Sequence, residues 1–112
     1  MTAHACTTLI EPLELAALLR SDGDVAIVDC RHDLARPQWG AEAYAESHIP
    51  GAQFAHLDRD LSDPVTPASG RHPLPAPDRF AATLGRLGID RETQVVAYDQ
   101  ASGALAARLW WL

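Results

Sequence analysis

The chain has 112 residues and a mass of 12.1 kDa, the usual length of one domain, which leaves no room for two hydrophobic cores. A composition of 47% hydrophobic and 21% charged residues is typical of a globular protein and excludes a disordered chain, a collagen and a coiled coil. The net charge of -6 argues against a nucleic-acid binder, and no apolar run approaches the ~20 residues of a membrane span.

The first half of the sequence alternates helix and strand. Residues 11–20 place leucines at helical spacing behind a proline that suits a first turn, which predicts a short amphipathic helix. Residues 25–28 form a Val-Ala-Ile-Val run of the kind buried in parallel sheets. Residues 40–47 predict a weaker helix, and the Pro-Gly pair at 50–51 forces a turn before a short apolar segment around Phe54.

The middle of the chain is a connection too long for an ordinary turn. Residues 55–77 contain five of the eight prolines, and a typical loop has only about 4 to 6 residues. Beyond this loop, Phe80, Leu84 and Leu87 follow helical spacing, and Gly88 suits the left-handed end of a helix. We therefore expect the long loop to cover or line a site, with a helix directly after it.

The last part of the chain repeats strand and helix. Residues 94–98 predict a second buried strand, residues 99–103 a tight loop, and residues 104–112 an apolar helix without a capping signal at its end. This unfinished helix predicts a domain that is incomplete at its C-terminus. The alternation predicts an α/β fold with a mainly parallel sheet, whose ligands bind outside the carboxyl ends of the strands. We therefore expect a site at residues 29–32 and 99–103.

The two cysteines do not indicate a disulfide or a metal site. Cys6 and Cys30 lack a C-x-x-C spacing and predict neither a disulfide framework nor a zinc site. Cys30 stands beside Arg31 and His32, which can lower a thiol pKa, although a cysteine at the end of a buried strand is more often a small core residue. The histidines show no metal-binding spacing, so we expect no metal site. We also expect no cofactor. No secretory signal opens the sequence, which favours a cytoplasmic location.

Two other groups of side chains have two interpretations each. Arg31 and Arg36 either meet an anionic substrate or form ion pairs with the neighbouring acids. Trp110 and Trp111 fit either core packing or packing against another domain.

A series of short motifs runs in order along residues 9–112. They are Val-Asp-Cys-Arg-His at 28–32, Tyr44 with His-Ile-Pro-Gly-Ala at 48–52, Leu-Asp at 57–58 leading to Arg-His-Pro-Leu-Pro at 71–75, Phe80, Leu-Gly-Arg-Leu-Gly-Ile at 84–89, Val-Val-Ala-Tyr-Asp at 95–99, and Ala-Arg-Leu-Trp-Trp at 107–111. Together they resemble the amino-terminal half of the two-domain sulfurtransferases, the rhodaneses and 3-mercaptopyruvate sulfurtransferases. The resemblance implies that residues 1–112 are a rhodanese-like domain, incomplete at the C-terminus.

The resemblance also implies a persulfide mechanism. In that family a cysteine thiolate takes sulfane sulfur from thiosulfate or 3-mercaptopyruvate and passes it to a thiol or cyanide, without a cofactor. The cysteine opens a loop after a strand, and the matching position here is Asp99. The resemblance therefore implies that this segment has no nucleophile and is inactive alone. Its partner would be a second rhodanese domain of the same full-length chain, which carries the cysteine.

In the mercaptopyruvate branch of the family, an acid and a histidine of the first domain are proposed to line the cleft between domains and to work with a serine on the catalytic loop of the second domain. The matching positions are Asp58 and His72, at either end of the long loop. A carboxylate can orient a histidine and keep it basic enough to take a proton from a hydroxyl or thiol. The alternative is that Asp58 caps a turn and His72 is an ordinary loop histidine. Arg31 is the weaker candidate for binding the anionic donor.

A rival interpretation concerns the whole chain. A stand-alone, inactive rhodanese-like module that binds a partner protein or a small thiol is also consistent with the missing nucleophile and the acidic composition.

Overall fold

A computed structural model describes residues 8–21 and 23–112, and Cys6 lies outside these ranges. The helices and strands confirm the predicted alternation. In chain order they are α1 (Pro12–Leu19), β1 (Val25–Asp29), α2 (Trp39–Glu46), β2 (Gln53–Phe54), α3 (Pro77–Arg86), β3 (Gln94–Tyr98) and α4 (Ala104–Trp111). Of the helices in the described ranges, none is long and apolar enough to cross a membrane.

The three strands form a parallel sheet in the order β2-β1-β3. Parallel pairing follows from the connections, since α2 and α3 each lie between two consecutive strands and return the chain to the same end of the sheet. In the register of the sheet, Asp29 stands opposite both Phe54 and Tyr98. The carboxyl ends of all three strands therefore meet at one edge, and the predicted α/β fold class is confirmed.

The hydrophobic core lies between the sheet, the long loop and α4. Its buried members come from β1, from the residue after β1, from the start of the long loop, from the end of α3 and from α4: Val28, Cys30, Ala55, Leu57, Leu61, Leu87 and Leu109. The loop of residues 55–77 thus places leucines in the core instead of only covering it. This anchorage fixes the first part of the loop beside the carboxyl edge of the sheet.

The end of α3 shows why the sequence has a glycine there. Gly88 has a φ of 74° and donates its N–H to the Gly85 carbonyl at 3.1 Å. The Ile89 N–H donates to the Leu84 carbonyl at 2.9 Å. This pair of bonds is a Schellman motif, which requires a left-handed residue directly after the helix. The predicted helix end at Gly88 is confirmed.

Two expectations about burial are corrected. Val96 is the buried residue of β3 and its neighbours are half-buried, because β3 is an edge strand of the sheet formed by the described residues. In α4, Leu109 turns into the core, whereas Trp110 and Trp111 are 66% and 68% exposed. Core packing of the two tryptophans is therefore wrong, and packing against another domain stays a prediction.

Candidate functional site

The carboxyl end of β1 is built around a buried ion pair. The Asp29 carboxylate is fully buried and accepts hydrogen bonds from Arg31 Nε at 2.9 Å, from Arg31 Nη2 at 2.6 Å and from the Tyr98 hydroxyl at 3.0 Å. Arg31 Nη2 also donates to the Ser47 carbonyl at 2.7 Å, and the Ile49 N–H donates to the Tyr98 hydroxyl at 3.2 Å. The hydrogen bonds to Asp29 are the main reason that the pKa of Arg31 lies above its usual value. One network thus joins β1, β3 and the turn before β2.

This network confirms the ion-pair interpretation of Arg31. Its guanidinium group is already occupied by a buried carboxylate and a carbonyl, so contact with an anionic donor stays a prediction. Arg36 pairs with Asp33 at 3.0 Å, on the exposed surface. Helix α2 packs closely against the backbone of Arg31 at Gly40. A side chain at this position would overlap the Arg31 carbonyl oxygen, so the close approach requires glycine.

Cys30, the next residue, is a core side chain. Burial raises the pKa of its thiol to about 12, and the charges of Asp29 and Asp99 act in the same direction. A thiol with so high a pKa is almost entirely protonated at neutral pH and is a poor nucleophile. The core interpretation of Cys30 is therefore confirmed, and a reactive thiol at this position is contradicted.

The loop after β3 carries Asp99 where the resemblance expects the nucleophile. Its Oδ1 accepts the N–H groups of Ala101 at 3.0 Å and Gly103 at 3.1 Å. Its Oδ2 accepts the N–H groups of Leu105 and Ala106, each at 3.0 Å. Partial burial opposes ionisation, but these backbone hydrogen bonds outweigh it and lower the pKa of Asp99 below its ordinary value. The N–H groups of Gly103, Leu105 and Ala106, around the start of α4, are thus bound by a side chain of the same loop.

We expect Asp99→Asn to lower the free energy of unfolding by about 1 kcal/mol at neutral pH, because an amide accepts from these N–H groups less strongly than a carboxylate. The pKa of Asp99 is lowered on folding, so its contribution is present above the unfolded value of about 4 and is lost as the pH falls through the folded value. Urea unfolding from about pH 7 down to about pH 3 measures the difference between the two proteins. A difference that stays constant over this range would contradict the assignment.

The structure brings Asp58 and His72 together across the long loop. Asp58 Oδ1 lies 3.2 Å from His72 Nδ1, and the two side chains are 45% and 26% exposed. When Nδ1 carries the proton, it donates to the carboxylate and leaves Nε2 free to accept another proton. Both groups are accessible from outside, so the pair has the geometry of a general base. The contact between Asp58 and His72 is thus observed, whereas the catalytic role of the pair stays a prediction.

A second histidine fixes the backbone of Asp58. His56 Nδ1 accepts the Asp58 N–H at 3.0 Å, which makes Nε2 the protonated nitrogen, and Nε2 donates to the Pro37 carbonyl at 3.0 Å. The His56 N–H in turn donates to Asp60 Oδ2 at 2.7 Å. His56 is buried, so its imidazole serves as an internal support. The spacing of the histidines in the sequence did not distinguish His56 from the others.

His32 lies behind this arrangement. Its ring stands edge-on to that of His56, with 5.3 Å between the ring centroids. Burial is the main reason that its pKa is lowered, and the charge of Asp58 acts in the opposite direction. Its buried Nδ1 has no hydrogen-bond partner among the described residues. Across residues 8–21 and 23–112, no group of three histidines, cysteines or acids is arranged to hold a metal ion.

Comparisons with known proteins agree with this architecture. The profile of the family described as Rhodanese-like domain matches residues 11–112. A probable 3-mercaptopyruvate sulfurtransferase of Pseudomonas aeruginosa is 50% identical over 105 residues, which cover 93% of this chain and 37% of the relative. A putative thiosulfate sulfurtransferase, SseB, of Mycobacterium tuberculosis is 41% identical over 93% of this chain and 36% of the relative.

A solved structure shows the same fold. The 3-mercaptopyruvate sulfurtransferase from Leishmania major superposes with a TM-score of 0.82 and 36% sequence identity, over 91% of this chain and 28% of that protein. The chain spans little more than a third of the length of the curated relatives named above, and it corresponds to their amino-terminal region. The family profile and the fold coincide over nearly all of the described residues. The chain therefore belongs to the rhodanese-like domain family.

Proposed function

We propose that this chain is the non-nucleophilic, amino-terminal domain of a sulfurtransferase, and that a second rhodanese domain supplies the cysteine. Two observations support this proposal. The position of the nucleophile holds Asp99, whose carboxylate is bound by four backbone N–H groups and cannot attack sulfur. The relatives, named as 3-mercaptopyruvate and thiosulfate sulfurtransferases, are much longer than this chain. We place the protein in the cytoplasm and expect it to need no cofactor.

In the proposed reaction, the thiolate of the second domain attacks the sulfur of 3-mercaptopyruvate and forms a persulfide. The carbon–sulfur bond breaks, and its electron pair passes to the carbon, which takes up a proton to give pyruvate. The outer sulfur then moves to a thiol or cyanide acceptor, and the thiolate is regenerated. The thiol proton of the donor has to leave during this sequence, and proton removal is the task for which a general base is suited.

The contact between Asp58 and His72 is the observation that carries the choice of 3-mercaptopyruvate. A carboxylate at 3.2 Å from Nδ1 orients the imidazole, so that Nε2 is the nitrogen available to accept a proton. We propose that this pair acts in the cleft between the domains, together with a serine of the second domain, and takes the proton released by the donor. Thiosulfate has no thiol proton, so the pair has no corresponding task with that donor.

The test compares the two donors in the whole gene product. Because general-base catalysis contributes about a hundredfold or more, His72→Gln should lower kcat with 3-mercaptopyruvate by about a hundredfold. With thiosulfate as the matched control, kcat should change by less than about threefold, since no thiol proton has to be removed. Equal losses with both donors, or no loss with either, would contradict the role of the pair.

The isolated chain of 112 residues tests the missing nucleophile. It should transfer sulfur from neither donor. Turnover that survives replacement of Cys6 and Cys30 by serine would contradict the proposal. If the whole gene product also fails to turn over either donor, the rival function as a binding module is favoured.

A further inference from the structure

One arginine of α4 forms hydrogen bonds with two separate parts of the long loop. Arg108 Nε donates to the Leu61 carbonyl at 2.9 Å, and Nη2 donates to the Ser62 hydroxyl oxygen at 3.2 Å. The same Nη2 donates to the His72 carbonyl at 2.9 Å and to the Pro73 carbonyl at 3.3 Å. All four acceptors are neutral oxygens, so these bonds of Arg108 join segments of backbone without neutralising a charge. A single side chain thus connects the part of the loop after Asp58 with the part that contains His72.

The backbone of His72 needs such support. His72 has a φ of 48°, and it is the one residue other than glycine in the described ranges with a positive φ. Residues other than glycine rarely adopt this left-handed backbone conformation, so the surroundings of His72 have to hold it there. His72 also precedes Pro73, whose ring disfavours the right-handed helical region and favours an extended backbone. Without a restraint on its carbonyl group, we expect His72 to relax towards the extended conformation.

The left-handed conformation determines where the imidazole lies. The φ of His72 sets the direction of its Cα–Cβ bond, and in the observed conformation Nδ1 reaches Asp58 at 3.2 Å. An extended His72 points its side chain elsewhere and breaks this contact. The guanidinium group of Arg108 reaches its acceptors through two nitrogens, Nε to the Leu61 carbonyl and Nη2 to the His72 carbonyl. The single ammonium nitrogen of a lysine cannot reproduce this geometry.

We propose that Arg108 is a positioning residue for the Asp58–His72 pair. It holds the His72 carbonyl, and with it the left-handed backbone that presents the imidazole to Asp58. The effect on catalysis rests on the proposed function, whereas the effect on the position of His72 rests on the geometry alone. Arg108 itself is bound to backbone and hydroxyl oxygens, so its role in this proposal is to act through His72.

The kinetic test uses the whole gene product and the variants Arg108→Met and Arg108→Lys, the second of which keeps the charge and the aliphatic stem. Displacing a catalytic group by about 1 Å can lower the reaction rate about a hundredfold. Each variant should therefore lower kcat with 3-mercaptopyruvate by about tenfold to a hundredfold and leave KM within about threefold of the unmodified protein. Turnover of thiosulfate should stay within about threefold of the unmodified protein. The matched control is Arg79→Met, because Arg79 also binds this loop, through Asp63 and the Arg59 carbonyl. This variant should change kcat by no more than about threefold with either donor.

A double substitution separates positioning from general loss of structure. If Arg108 acts through His72, then Arg108→Met should lower kcat by less than about twofold in a protein that already carries His72→Gln. An equal loss in both backgrounds would overturn the proposal, as would equal losses with both donors.

Nuclear magnetic resonance of protein labelled with 15N in its histidine rings gives an answer that does not depend on catalysis. The His72 signals are assigned by their absence in His72→Gln, and Asp58→Asn gives their position when the carboxylate contact is lost. Both Arg108 variants should move the His72 signals towards that position, and Arg79→Met should not. If His72→Gln leaves turnover unchanged, the proposed function fails, and this measurement still decides whether Arg108 positions His72. Unmoved signals in both Arg108 variants would overturn the proposal.

Discussion

Arg31→Met is expected to lower the free energy of unfolding by about 3 to 5 kcal/mol, as when one partner of a buried ion pair is removed. The Asp29 side chain is 0% exposed, so water cannot replace the guanidinium group that the substitution removes. The variant also loses the bond to the Ser47 carbonyl, which ties the turn before β2 to the end of β1. Urea denaturation followed by circular dichroism measures the change.

The chain provides a matched control for this experiment. Arg36→Met breaks an arginine–aspartate pair that is also local in sequence, but the Arg36 side chain is 68% exposed. Pairs of this kind contribute about 0 to 1 kcal/mol, because water solvates both partners when the contact is lost. Similar changes in the two variants would show that the burial of Asp29 does not determine the energy of its pair.

Leu61→Ala is expected to lower the free energy of unfolding by about 3 kcal/mol, within the range of about 2 to 5 kcal/mol for truncating a buried leucine. Leu61 belongs to the long loop, yet its side chain is buried in the core beside Leu57 and Leu109. Truncation removes apolar contacts and leaves a cavity that the surrounding side chains fill only in part. Thermal and urea denaturation both report the loss.

Val65→Ala is the control within the same loop. Val65 is 68% exposed, so its truncation should change the free energy of unfolding by no more than about 0.5 kcal/mol. If Leu61→Ala were as mild as Val65→Ala, the long loop would lie on the surface of the protein without anchoring in it. The segment would then be held mainly by polar contacts, such as the Arg108 bond to the Leu61 carbonyl and the Arg79 bond to Asp63.

Local patterns in the sequence were sufficient to predict much of the fold. Apolar spacing predicted the helix that contains Phe80 and Leu84, and the β-branched run predicted β1. Gly88 ended its helix as expected, because a left-handed cap depends on one residue and its immediate neighbours. The burial of β3 was predicted less well, since burial depends on which strands flank it.

The candidate site was predictable only in part. The resemblance pointed to Asp58 and His72, and the structure shows that they are in contact. The roles of Arg108 and His56 in supporting this pair were not predicted, because both side chains act mainly through backbone atoms, which are the same in every sequence. Which acid would pair with Arg31 was also open from the sequence, since Asp29 and Asp33 both stand two residues away from it.

The binding of Asp99 to N–H groups at the start of α4 has a consequence for competition between anions. The Asp99 carboxylate is tethered beside the N–H groups that it binds, and a tethered group acts at an effective concentration of at least about the millimolar range. A free anion such as thiosulfate, dissolved at a lower concentration, has to displace this internal competitor before it can occupy the loop. Exclusion of dissolved anions from this loop therefore rests on intramolecular competition as well as on charge repulsion.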